Sequence, residues 1–291
     1  MKADIGNATM YCGDCVDVLR GLPDASVDAV ITDPPYPEID RDYGRMTEAE
    51  WHSMMDQVVP ECRRVLKPSG SAVFILQPNS ERVGRMRPWL WEFMAKWTRD
   101  WGMVQDAWWW NPSALPSGGV DRRIGLMRPS VKPCIWLGQP DCWRDQDAVL
   151  WTETSHSIAT RSMDRFEKKS TAGGRRVVKK RMGDVALERG GVTPFNLLPI
   201  SNTANRNSAG SHGHGAGTPI NLADWWTRYI CPPGGTVLDP FAGSGTMPLA
   251  AIKRNCRAIG IERMPKYFAV ACERLKALEP EPADLFAEPA A

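Results

Sequence analysis

The stretch Val237-Leu238-Asp239-Pro240-Phe241-Ala242-Gly243-Ser244-Gly245-Thr246 runs from a short apolar segment through a glycine turn into a helical pattern. Thr236 to Asp239 reads as a strand, and Met247 to Arg254 as the helix that follows it. Gly243 and Gly245 permit positive φ and let backbone approach a ligand closely. The helix start offers unpaired N–H groups and a partial positive charge. The next strand, Arg257 to Glu262, ends in an acid twenty-three residues after Asp239. A carboxylate there suits the hydroxyls of a ribose. The pairing reads as an adenosine-type cofactor site at the carboxyl ends of neighbouring strands. Neither G-x-G-x-x-G nor G-x-x-x-x-G-K-[ST] occurs, which argues against a dinucleotide oxidoreductase and a P-loop phosphotransferase.

Outward from this stretch, strand-like runs alternate with helical patterns, so the fold class is α/β with a largely parallel sheet. Strands are expected at Ala8–Cys12, Val27–Thr32, Ser71–Leu76, Gln105–Trp110 and Pro133–Leu137. From Thr47 to Leu66 apolar residues recur at helical spacing, with Thr47-x-x-Glu50 as a capping box, and Lys67-Pro68-Ser69-Gly70 breaks the helix. Further helices are expected at Pro219–Ile230 and Pro265–Leu278. Residues 1–137 and 219–278 then form the catalytic domain. Residues 138–218 form an inserted lobe, whose Asn196–Gly217 stretch is a mobile loop, and residues 279–291 a disordered tail.

A second stretch carries chemistry. Asp33-Pro34-Pro35-Tyr36 follows the strand at Val27–Thr32. Two prolines fix the backbone and remove two N–H donors, so the Asp33 carboxylate and the Pro34 carbonyl leave an almost purely accepting surface. Two acceptors side by side suit an –NH2 group, and Tyr36 adds an aromatic face.

The bulk composition narrows the rest. The 291 residues carry a net charge of +2, but the segment Arg161–Arg189 holds ten basic residues against four acids. That segment is +6 and leaves −4 elsewhere, which is the footprint of a phosphate-facing element. Arg175, Arg176, Lys179, Lys180 and Arg181 are its candidate DNA contacts. The eight cysteines, without a secretory leader, read as reduced thiols. Cys12-x-x-Cys15 has no second pair at zinc spacing, so no metal is expected. Apolar runs are too short to cross a bilayer, and a cytoplasmic protein is expected.

Asp-Pro-Pro-Tyr combined with Asp-Pro-Phe-Ala-Gly-Ser-Gly-Thr resembles the amino-methyltransferases of DNA, in the permuted β-type order where the catalytic motif precedes the cofactor motif. Gly13-Asp14 before Ser26-Val27-Asp28, Leu66-Lys67-Pro68-Ser69-Gly70, His214 leading to Pro219, and Tyr267 to Leu275 agree. The similarity runs from about Met10 to Leu278, apart from the middle lobe. Thr218 before Pro219 departs from it, since many relatives have lysine there.

The resemblance implies a Rossmann-like methyltransferase fold: a seven-stranded, mostly parallel sheet with one antiparallel strand and helices on both faces. It implies S-adenosylmethionine as cofactor, held by Asp14, Asp239, Phe241, Gly243, Ser244, Gly245, Thr246 and Glu262. Asp14 would lie near the adenine and Glu262 at the ribose, with Phe241, Gly243, Gly245 and Thr246 on the methionine side. Catalysis falls to Asp33, Pro34, Pro35 and Tyr36, acting on a base flipped out of double-stranded DNA. The expected target is adenine N6, because Asp rather than Ser at position 33 is a family tendency in that direction. The alternatives are cytosine N4 and a catalytically silent DNA-binding member of the fold. A homodimer and a cognate restriction nuclease, or none, are left open. None of the eight cysteines is needed as a nucleophile. Lys132-Pro133-Cys134 opens a strand and is read as incidental.

Overall fold

The computed structural model describes residues 1–42, 44–82, 84–113, 127, 129–152, 168–170, 176–178, 188–202 and 218–278. In chain order the strands are β1 (Lys2–Ile5), β2 (Ala8–Cys12), β3 (Val27–Thr32), β4 (Leu66–Ile75), β5 (Ser80–Arg82), β6 (Arg85–Met86), β7 (Met103–Trp110), β8 (Val131–Gly138), β9 (Lys168–Ser170), β10 (Arg176–Val178), β11 (Leu197–Pro199), β12 (Thr236–Asp239) and β13 (Arg257–Glu262). The helices are α1 (Cys15–Arg20), α2 (Glu48–Val65), α3 (Trp89–Asp100), α4 (Ile220–Ile230), α5 (Thr246–Lys253) and α6 (Pro265–Lys276).

Nine strands form one sheet in the order β1-β2-β13-β12-β3-β4-β8-β7-β11. Its seven inner strands, β2 through β7 in that order, are parallel except β8, which runs antiparallel to both neighbours. The sheet is larger than the seven strands expected, because β1 folds back antiparallel on β2 and β11 lies parallel along β7. Both additions are short edge strands with weak apolar signals. β1 buries none of its four residues fully, and in β11 only Leu198 is buried. Leu197–Pro199, read from sequence as loop, therefore caps the far edge of the sheet. Helices α1 and α3 also went unmarked in the sequence reading.

The alternation of side chains along the inner strands builds two cores. Ala29, Ile31, Val73, Ile75, Cys134 and Trp136 face one way and pack with α4, α5 and α6. Val30, Ala72, Phe74, Leu76, Ile135 and Leu137 face the other way, onto α1, α2 and α3. A strand buried on both faces reads as a mostly apolar run; all six residues of Val27–Thr32 are buried, and its two polar ones, Asp28 and Thr32, are paired with Lys67 and Asp239. On α2, Trp51, Met55, Val58, Val59, Cys62 and Val65 form the buried stripe. Its capping box is present: Glu50 N–H donates to Thr47 Oγ1 at 3.2 Å and Thr47 N–H to Glu50 Oε2 at 2.8 Å. Such a cap contributes about 1 kcal/mol.

Strand β2 lies beside β13, with Met10 opposite Gly260. The first and last core strands are thus neighbours, and a permuted motif order needs no rearrangement of the sheet. A Cβ on Gly260 would stand 2.5 Å from Met10 Sδ and 3.0 Å from Pro248 Cγ, so only glycine lets α5 pack there.

Residues 139–152 and 188–202 fall in the span expected for the inserted lobe, and they lie against the sheet and α4. Trp143 N–H donates to the Ser69 carbonyl at 2.7 Å, Asp145 N–H to the Tyr229 carbonyl at 2.9 Å, and Trp151 bridges Val192. Arg175, Lys179, Lys180 and Arg181, the stretch 203–217 and the tail from residue 279 lie outside the described residues. Arg176 opens β10, which pairs antiparallel with β9. Among the described residues no helix is long and apolar enough to cross a membrane.

Candidate active site

The two diagnostic turns leave adjacent strands on the same edge of the sheet. β3 ends at Thr32 and β12 at Asp239, and the strands pair in parallel through Val30 and Leu238. Thr32 Oγ1 donates to Asp239 Oδ1 at 2.6 Å, and Phe241 N–H donates to the same oxygen at 3.0 Å. Asp239 is almost fully buried, and burial pushes its carboxyl up to about 7. Its position is behind the site, where it clips one turn to the other.

In front of this clip lies a cavity of about 680 Å³, within the ~300–1,000 Å³ range usual for ligand sites. Its walls include Asp33, Pro34, Pro35 and Tyr36 from the first turn and Phe241 and Gly243 from the second. Asp14 and Glu262 complete the set of expected residues that reach it. Ser244, Gly245 and Thr246 do not line the cavity. They form the buried turn behind Gly243 and the start of α5. Gly245 has φ +81°, and a Cβ there would lie 3.0 Å from Ala271 Cβ. The turn is held from α6 by Arg274, whose Nη1 donates to the Ser244 carbonyl at 2.6 Å and to Ser244 Oγ at 2.9 Å.

Glu262 organises the wall of the cavity beside Gly243. Gly243 N–H donates to its Oε2 at 2.9 Å and Met264 N–H to its Oε1 at 2.6 Å. Each carboxylate oxygen keeps a second lone pair for a hydroxyl pair. Burial raises its carboxyl above the usual range, against those backbone N–H groups. Asp14 caps α1, accepting from Val16 N–H at 2.9 Å. Five carboxylates (Asp14, Asp33, Asp42, Glu50, Glu262) face three arginines (Arg41, Arg45, Arg263) around the cavity. That balance suits a ligand bearing a ribose and a cationic centre better than a polyphosphate.

The first turn is braced on every side. Trp51 Nε1 donates to the Pro35 carbonyl at 2.6 Å, and Asn79 Nδ2 to the Pro37 carbonyl at 2.7 Å. Tyr36 Oη donates to Asp33 Oδ1, and Thr218 Oγ1 donates to Asp33 Oδ2 at 2.5 Å. With one bond on each oxygen, the carboxylate is fixed in orientation yet retains lone pairs for an incoming amine. Thr218, the residue before Pro219, touches the Asp33 carboxylate in this way. Besides Arg274, sequence reasoning gave no place in the site to Lys132, Asp42 or Cys15. Lys132 approaches Tyr36 from β8, its Nζ 3.2 Å from Tyr36 Oη. Asp42 pairs with Lys266 and accepts from Tyr267 Oη at 2.7 Å, which ties the segment after Tyr36 to α6. Cys15 lines the cavity, but burial pushes its thiol up to about 12. Cys134 is likewise pushed up to about 12 by burial.

Of the relatives similar to the chain, type II methyltransferase M.PvuII of Proteus hauseri is 26% identical over 285 residues, covering 92% of the chain and 83% of the relative. M.HinfI of Haemophilus influenzae is 23% identical, over 98% and 73%. Among solved structures, the cytosine-N4-specific PvuII DNA methyltransferase superposes with a TM-score of 0.71 at 23% identity, covering 96% of this chain and 89% of that one. The complex of M1.HpyAVI with S-adenosylmethionine gives 0.55 at 16% identity, over 92% and 98%. A family model described as DNA methylase, for N6 and N4 methyltransferases, matches residues 27–273. The chain belongs to this DNA methylase family.

Proposed function

We propose that the protein methylates the N6 amino group of adenine at specific sites in double-stranded DNA. The observation that carries this reading is the shared cavity, in which Asp33 and Tyr36 stand in one wall and Phe241, Gly243 and Glu262 in another. S-adenosylmethionine, when bound, supplies an electrophilic methyl group. Glu262 holds the ribose hydroxyls, Asp14 lies at the adenine end, and Phe241 and Gly243 border the methionine end. Asp33 and the Pro34 carbonyl accept the two hydrogens of the target amine. They draw its lone pair out of conjugation and stabilise the nitrogen as it becomes cationic. As the N–CH3 bond forms, the sulfonium S–CH3 bond would break with its electron pair left on sulfur as a neutral thioether, and the nitrogen gives up one proton to solvent. No cysteine nucleophile takes part.

The base must leave the duplex, which costs roughly a few kcal/mol. Stacking on Tyr36 returns ~1–3 kcal/mol and a hydrogen bond to the charged Asp33 ~1.5–3 kcal/mol. These nearly balance, so phosphate contacts from the basic segment, Arg175, Arg176, Lys179, Lys180 and Arg181, supply much of the DNA affinity. The span 138–218 serves as the target-recognition region on this reading.

Cytosine N4 is the second reading, favoured by the likeness to a structure named as cytosine-N4-specific. Both bases present the same two hydrogens to Asp33. Asp rather than Ser at position 33 supports adenine. Digesting DNA methylated by the purified protein to nucleosides decides between them. N6-methyl-2′-deoxyadenosine is expected, and N4-methyl-2′-deoxycytidine alone would replace the first reading by the second.

A further inference from the structure

Lys132 lies one residue into β8, the single antiparallel strand of the inner sheet, on the edge where the catalytic turn sits. Its ammonium is 5.4 Å from the centre of the Tyr36 ring and 5.1 Å from that of Trp109, its cross-strand partner. Its Nζ donates to Tyr36 Oη at 3.2 Å, and Tyr36 Oη in turn donates to Asp33 Oδ1. From these contacts we infer that Lys132 is a positioning residue for methyl transfer, which sets the Tyr36 hydroxyl as a donor to Asp33 and holds the ring that stacks on the target base.

An ammonium has three donors and no acceptor. Beside a phenol oxygen it donates, and the phenol proton then turns to the best acceptor in reach, the Asp33 carboxylate. The chain of bonds from Lys132 through Tyr36 to Asp33 has one direction. Asp33 Oδ1 is therefore held as an acceptor, and Thr218 holds Oδ2 in the same way. Cation–π contact with two rings fixes the lysine stem, since Trp109 is itself buried and pinned by its Nε1 to the Ile200 carbonyl at 2.8 Å. The edge strand β11 runs parallel to β7 in register with Trp109 and stiffens this support. Without the ammonium, the phenol can turn its proton elsewhere and Asp33 can swing off the amine.

The inference rests on Asp33 and Tyr36 being the amine site, so the test separates the two. Single-turnover methyl transfer is measured with tritiated cofactor for wild type, Lys132→Met, Tyr36→Phe, the double variant, Lys132→Arg and Asp33→Ala. Cofactor titration and a thermal melt check that each variant is folded. Lys132→Met should slow transfer about tenfold or more, in line with loss of a charge-assisted hydrogen bond, with cofactor affinity unchanged. Lys132→Arg, which keeps the donors and the ring contacts, should recover most of the rate. In the Tyr36→Phe background, which keeps the ring and removes only the hydroxyl, Lys132→Met should cost no more than about twofold, because coupled residues are not additive. Full additivity in this cycle, or a Lys132→Met rate equal to wild type while Asp33→Ala is inactive, would overturn the inference and leave the amine site standing. An active Asp33→Ala would overturn both. Should Lys132→Met fail to fold, Lys132→Gln makes the same comparison.

Discussion

Replacing Glu262 by Gln tests the cofactor end with a change of one atom. In the wild type both carboxylate oxygens are engaged, one by Gly243 N–H at 2.9 Å and the other by Met264 N–H at 2.6 Å. A carboxamide has one accepting oxygen, so in either orientation one backbone N–H faces an NH2 group. The ribose loses an ionised acceptor at the same time. A hydrogen bond to a charged group contributes ~1.5–3 kcal/mol, which at about 1.4 kcal/mol per tenfold weakens cofactor binding by roughly 10- to 150-fold. Displacement of the Gly243 turn pushes the loss toward the upper figure. Asp33 and Tyr36 are untouched, so kcat at saturating cofactor should stay within about threefold of wild type. Calorimetric titration of the cofactor and saturation kinetics on one DNA substrate read both quantities. Because burial raises the Glu262 carboxyl, wild-type affinity should fall as pH drops through that raised value, where the protonated acid resembles Gln. The variant should show no such step. An unchanged Kd, or a loss confined to kcat, would refute the assignment of Glu262 to the ribose.

Asp239→Asn keeps the oxygen that accepts from Thr32 and Phe241 and removes the ionisable proton. The folded wild type holds that proton up to about pH 7, whereas the unfolded chain releases it near pH 4. Wild-type stability should therefore decline as pH rises through that window, and the variant should not share the decline. Melting temperatures that differ equally at pH 4 and pH 8 would contradict this. Arg274→Met keeps the aliphatic packing but frees the Ser244 turn, and should lower cofactor affinity several-fold with a loss of ~1–3 kcal/mol in stability by denaturant unfolding. Replacing Lys179, Lys180 and Arg181 by Ala should weaken DNA binding and flatten its dependence on log salt. An unaltered slope would move the phosphate-facing surface elsewhere.

The parts of the fold that the sequence made legible are those with strong periodicity or fixed turn chemistry. Val27–Thr32 and Arg257–Glu262 have the bounds their apolar runs suggest, and Thr47 and Glu50 mark the start of α2 by the chemistry of their side chains. The strand expected from Ser71 begins at Leu66 instead. Lys67-Pro68-Ser69-Gly70 looked like a plain helix breaker, but Lys67 Nζ pairs with Asp28 at 2.9 Å and Gly70 fits against the Asp28 carbonyl, which draws the segment into the sheet. Strands β1 and β11 were invisible because an edge strand needs few apolar residues once a neighbour supplies the ladder.

In the site, the residues legible in sequence are those in or beside a strand-end turn: Asp14, Asp33, Pro34, Pro35, Tyr36, Phe241, Gly243 and Glu262. Lys132, Thr218, Arg274 and Asp42 act through partners 96, 185, 30 and 225 residues away. No local pattern reports such distances. The Lys132-Pro133-Cys134 stretch shows the difference sharply. Its cysteine drew notice for chemistry that burial disfavours, while the lysine two residues before it reaches the Asp33–Tyr36 turn.

The most direct test of the account is methyl transfer by Asp33→Ala set against its cofactor affinity. The carboxylate is the only feature removed from the amine-binding surface, and Thr32, Asp239 and Glu262 remain in place. Transfer to DNA should fall by about 10²–10³-fold or more, with a cofactor Kd within about twofold of wild type. Turnover at the wild-type rate with the carboxylate gone would contradict the claim that Asp33 holds the target amine.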